Sequence, residues 1–173
     1  MSGAAASVGL TGEFERGTMV QTNAHDVANY ILKKTGRIQA IKLQKLCYLA
    51  QGWNLAWLRE PLFNDEIRAW RYGPVIYSLY QRHGGMHYLD EWNHGNPDDT
   101  HLSADQKKII DAVIQRNAHK DGFDLVRDTH THEIWKTKFE EAEPNRRGYE
   151  VLTVEDIRKE FDRLDDELMK ATS

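Results

Sequence analysis

Eight histidines and one cysteine are the side chains with which this chain could hold a metal or attack a substrate. His83 and His87 stand four apart, a spacing that aligns two imidazoles on a helix. Gly84-Gly85 between them works against a regular helix. His130 and His132 stand two apart, which suits a strand. A metal centre needs several oriented co-ligands besides. The lone cysteine, Cys47, rules out both an intramolecular disulfide and a cysteine-built zinc cluster. Flanked by Leu46 and Tyr48, it reads as a buried, unreactive thiol. No metal and no cofactor are expected. The acids of 155–167 are interleaved with Arg158, Lys159 and Arg163, the pattern of a solvated helix face with ion pairs one turn apart.

Motifs of catalysis are absent from the sequence. It has no Walker-type phosphate loop, dinucleotide fingerprint, Gly-x-Ser-x-Gly elbow or His-Glu-x-x-His helix. No catalytic residue is assigned and no enzyme is expected; a hydrolase built on His130 is the enzymatic alternative. Chemistry of recognition is better represented. Residues 68–82 mix Arg68, Arg71 and Arg82 with Trp70, Tyr72, Tyr77 and Tyr80. Arginine with aromatics is the composition of protein-binding hot spots, and such rings also stack on bases. Arg68, Arg71, Tyr77, Tyr80 and Arg82 are the candidate partner-binding residues. Trp70 and Tyr72 are open to two readings, core packing or binding anchor. Arg146-Arg147 is too short to form a patch.

The elements that must position these residues follow from period and punctuation. The 173 residues are the length of one domain. With 23 Lys and Arg against 27 Asp and Glu, the net charge of −4 argues against a nucleic-acid binder. No run is apolar enough to span a bilayer, and no secretion signal opens the chain, so a cytoplasmic protein is expected. Residues 1–18 are small, polar and without period, and a disordered tail is expected there. Met19 is expected to be the natural start, with the domain over 19–170. Asn23 and Asp26 cap a helix over 24–35 that stops at Gly36. Ile38–Leu58 is apolar round most of its girth, which marks a core helix, with Lys42, Gln44 and Lys45 on its wetter side. Gly52 inside it needs a close neighbour to justify its cost.

Residues 62–72 read as a hairpin turning at Asn64-Asp65. Pro74 suits the first position of a helix over 74–82. Residues 83–100 form a long loop with a helical turn at Met86–Trp92. Ser103 and Gln106 cap a helix over 103–118. Short helices at 123–129 and 133–141 flank His130-Thr131-His132, and 142–152 is irregular. Thr153 caps a last helix with a narrow apolar stripe that needs a partner surface. The expected fold is mainly α: a compact domain of six to seven helices with one small β-hairpin.

Two stretches resemble a known family. KLQKLCYLAQGW, followed by the turn containing Pro61-Leu62-Phe63 and then AWRYGPV, looks like the Panacea domain of phage-associated proteins and SocA-like antitoxins. The matching residues are Lys42, Leu43, Gln44, Lys45 and Leu46, then Tyr48, Ala50, Gln51 and Gly52, then Trp70, Tyr72, Gly73, Pro74 and Val75. His130 followed by Trp135 resembles the family's downstream element. The resemblance runs over roughly Ala24 to Phe161. It implies a mainly helical antitoxin that neutralises a cognate toxin by direct protein contact, and its partner is expected to be that toxin. One relative delivers its toxin to a cytosolic protease, so a proteolytic adaptor is one alternative and a DNA-binding autoregulator another. On this view the motif is scaffold. Tyr72-Gly73-Pro74 sets a sharp turn in which Gly73 takes a positive φ, and His130 and Trp135 pack on it from the far side. Toxin choice then falls to the variable surface, including 83–100 and the outer face of the hairpin.

Overall fold

The computed structural model describes residues 21–173; the tail expected at 1–18 and the start expected at Met19 lie outside them. Helix α1 (Ala24–Thr35) opens on a capping box in which Asn23 and Asp26 each bond the other's backbone N–H, and it ends at Gly36. A two-residue strand β1 (Ile38–Gln39) precedes α2 (Ala40–Leu58). Strands β2 (Ile67–Trp70) and β3 (Gly73–Ile76) form a hairpin that runs into α3 (Tyr77–His83). Strand β4 (Tyr88–Leu89), α4 (Ala104–Arg116), α5 (Gly122–His130) and α6 (Glu133–Phe139) follow. A 3₁₀ turn at Pro144–Arg146 and strand β5 (Val151–Leu152) lead to α7 (Val154–Thr172). The protein is mainly helical, with seven α-helices among the described residues and two small antiparallel sheets. No helix among them is long and apolar enough to cross a membrane.

Helix α2 is the axis of the core. Leu43, Leu46, Cys47, Tyr48, Ala50 and Leu55 are fully or almost fully buried on it, and α1, α4, α5, α7 and β3 pack round it. Burial pushes the Cys47 thiol far up, which keeps it an inert core residue. The partner surface for α7's narrow stripe is this same helix. Ile157 and Phe161 are buried there, and Phe161 stands edge-on to Tyr48 and Trp53. Gly52 is where the two helices meet most closely: an added Cβ would lie 2.2 Å from the Phe161 ring.

The hairpin differs from its expected register. Its strands are 67–70 and 73–76, and it turns at Arg71-Tyr72, not at Asn64-Asp65. Asp65 instead accepts the Ala24 N–H at the start of α1 and the Ser78 hydroxyl. Pro74 lies in β3, and α3 begins three residues later. Proline is tolerated because β3 is an edge strand of the order β3-β2-β5. Across from Pro74, Ala69 turns its N–H the other way, to Glu150 O at 2.9 Å, so a Pro74 N–H would have had no use in this ladder. Gly73 takes a φ of 103°, which closes the turn after two residues of ordinary φ.

Two further segments depart from expectation. Met86–Trp92 forms no helical turn; Tyr88 and Leu89 pair with Gln39 and Ile38 as β4. The rest of the 83–100 connection is tied down: Asp26, buried at the start of α1, accepts the Asn96 N–H and lies 2.9 Å from His101 Nδ1. Within 142–152, Val151 and Leu152 pair with Arg68 and Ile67 and so add the third strand.

Candidate functional site

A polar stripe on α2 positions the hairpin. Gln44 Nε2 donates to Ile76 O at 3.1 Å, and Gln44 Oε1 accepts the Ile76 N–H at 2.8 Å, as a neighbouring strand would. Two turns on, Gln51 donates to Phe63 O at 2.7 Å and accepts the N–H groups of Leu62 and Phe63. Between them Lys45 Nζ donates to Pro74 O at 3.0 Å. Gln44 and Lys45 are therefore not on a wet face: they are 2% and 0% exposed. Their polar ends replace water for backbone groups that the hairpin and its approach bury. Among the described residues Lys45 has no carboxylate beside it, and burial pushes its ammonium down to about 7.

The far side of the turn is held by α5 and α6. Trp135 Nε1 donates to Trp70 O at 2.7 Å, and His130 Nε2 lies 2.9 Å from Arg71 O. The two rings stack with centroids 4.0 Å apart. An added Cβ on Gly73 would come within 2.7 Å of Thr129 Oγ1 and 3.0 Å of Lys45 Cε, so this glycine serves both its φ and a close approach. Of the family-type residues, Lys42 is half-buried and Leu43 is fully buried in the core. Tyr48 Oη lies 2.9 Å from His132 Nδ1, and Glu160, also buried, accepts the Ile134 N–H. Burial lowers His132 well below its ordinary value, against the raising effect of Glu160. Sequence reasoning weighed His132 only beside His130 as a metal ligand and put Glu160 on the solvated acidic face of 155–167; Glu160 is instead buried at 4% exposure, and nothing local marks the cluster, since it joins α2, α6 and α7.

The hairpin so held forms one wall of a groove of about 840 Å³, which is within the range of ligand-binding clefts. Trp70, Tyr72, Tyr77 and Tyr80 line it, with Arg68 and Arg71. Trp70 is half-buried, its ring edge-on to Tyr80 at 4.6 Å, while Tyr72 is 51% exposed. Neither is a core residue. Arg68 lies over the Tyr77 ring at 3.7 Å with its Nε 2.7 Å from Glu66. Arg82, also a candidate, lies outside this groove, beside Trp92 and His94. Phe139, Arg147 and Tyr149, which sequence reasoning missed, line it too. Arg147 was too isolated to signify, yet β5 pairing with β2 brings 147–149 alongside the hairpin.

Two findings place the chain among known proteins. No curated protein and no solved structure matches it. Residues 43–136 match the family described as "Antitoxin SocA-like, Panacea domain". That span is more than half of the chain and runs from the first polar contacts of α2 through the hairpin to Trp135. By this match the chain belongs to the SocA-like antitoxin, Panacea-domain family.

Proposed function

We propose that this chain is an antitoxin that neutralises a cognate toxin by direct protein–protein contact, with no reaction of its own. The family match over 43–136 carries this reading. The groove supports it, because Trp, Tyr and Arg on a rigid wall are the residues that anchor protein interfaces. The exposure of Tyr72, Tyr80 and Tyr149 supports it as well. The test is to express the product of the neighbouring gene alone and together with this chain. Growth should fail in the first case and recover in the second. The two proteins should purify as one complex, with the toxin's lifetime unchanged. Recovery with a shortened toxin lifetime and no complex would replace neutralisation by delivery to a protease. No recovery would remove the reading.

A further inference from the structure

The charge in the groove is one-sided. Among the described residues its lining includes Arg68, Arg71, Arg147 and the buried Lys45 but no carboxylate, although the whole chain carries a net charge of −4. Several arginines elsewhere, Arg59, Arg127, Arg158 and Arg163 among them, have carboxylate partners, although Arg82 and Arg116 have none among the described residues. Arg71 and Arg147 have none among the described residues. Arg147 is steered by carbonyls instead: its Nε donates to Phe139 O at 3.2 Å and its Nη2 to Glu140 O at 3.3 Å. The acids nearby are engaged at the rim, Glu66 with Arg68 and Glu150 with Arg146. The rings of Trp70, Tyr77, Tyr80 and Phe139 line the same groove, Arg147 lying over the Phe139 ring at 5.5 Å and Arg71 over Tyr72 at 5.7 Å.

We infer that the groove seats a short acidic segment of the partner protein, its carboxylates on Arg71 and Arg147 and an apolar side chain against the aromatic rings of the same lining. This rests on the reading of the chain as a toxin-binding antitoxin, and it names the chemistry that the toxin brings. An anion is the occupant that such a lining favours, since a basic segment would meet two arginines, Arg71 and Arg147, that have no carboxylate partner among the described residues. A peptide is favoured over a nucleic acid by the negative balance of the molecule, which repels a polyanion at long range.

The test uses the full chain and a displayed library of random peptides, with no toxin present. Selection should enrich Asp and Glu next to an aromatic or aliphatic residue. A selected peptide, labelled and followed by anisotropy, should lose roughly tenfold or more in affinity for Arg147→Glu. The same peptide with its acids changed to Lys should regain that affinity on the variant. Arg147→Gln is the milder companion, and thermal melts of both variants establish that the fold is intact. Selected peptides without acid enrichment, or peptides that bind Arg147→Glu as well as the parent, would overturn the inference. So would an oligothymidylate that displaces them at lower concentration. Failure here alongside toxin rescue in cells sinks only the groove's chemistry. Acid-selective binding without rescue sinks the antitoxin reading instead.

Discussion

Gln51 shows what a single side chain holds in place. Its amide satisfies three backbone groups of Leu62 and Phe63, so Gln51→Ala should cost about 2–4 kcal/mol, several times an ordinary surface change. Denaturant titration would check this, and a loss under about 1 kcal/mol would mean that water takes over those bonds. Lys45 gives a pH signature. Its folded value of about 7 lies below its ordinary 10.5, so the unfolded chain binds the extra proton between those limits. Its contribution is complete above 10.5 and is lost as pH falls toward 7. Stability should rise from about pH 7 to about 8.5, below the range in which the raised Cys47, Tyr30 and Tyr48 act in the opposite sense, and that rise should be missing in Lys45→Met. The buried His83 and His132 and the half-buried His25 are also lowered by desolvation. By the same logic they withdraw stability as pH drops below about 6.5. Melting temperatures across pH 5–8 would show a slope there that is reduced in His132→Leu.

Elements are fixed by a few crossings. At Gly52 an alanine must push Phe161 aside, so Gly52→Ala should destabilise by about 1–3 kcal/mol despite alanine's better helix propensity. Gly52→Ala combined with Phe161→Leu should recover part of that loss; strictly additive losses would show that the close approach is not the cause. The start of α1 is a second junction. Asp26 serves the capping box and holds the 90–101 segment through Asn96 and His101. Asp26→Ala should cost about 1–3 kcal/mol, and hydrogen exchange should quicken at Asn96 as well as in the first turn of α1. Exchange confined to α1 would mean that the loop is held elsewhere. Trp70 belongs to this scale too. Since it is a half-buried wall, Trp70→Ala should fall short of the about 3–5 kcal/mol of a core tryptophan, while toxin rescue is cut sharply.

For the molecule as a whole, legibility tracked the range of the interaction. Helices α1, α4 and α7 could be read because Asn23, Ser103 and Thr153 cap them locally, and α2, which has no side-chain cap, because its apolar character lies within the segment. The core character of α2 was plain, but the burial of Gln44 and Lys45 was not, since it depends on hairpin carbonyls some thirty residues away. The hairpin's true turn was hidden for a similar reason. Pro74 is harmless only because β5 takes the other edge of β2, and β5 is two residues with no pattern of their own. Arg68, Arg71, Tyr77 and Tyr80 were found from composition and do share one groove. Phe139, Arg147 and Tyr149 were not, because their place there is set by the fold and not by their neighbours in sequence.

That groove draws on Ile41 near one end of the domain and on Tyr149 near the other. A ribosome that has finished the hairpin has therefore made only half of the groove's lining, and on the proposed antitoxin reading a premature stop before Arg147 should yield a protein that shields nothing. If a toxin is made alongside, that reading has protection begin late in each round of translation and rest on a standing surplus of finished chains.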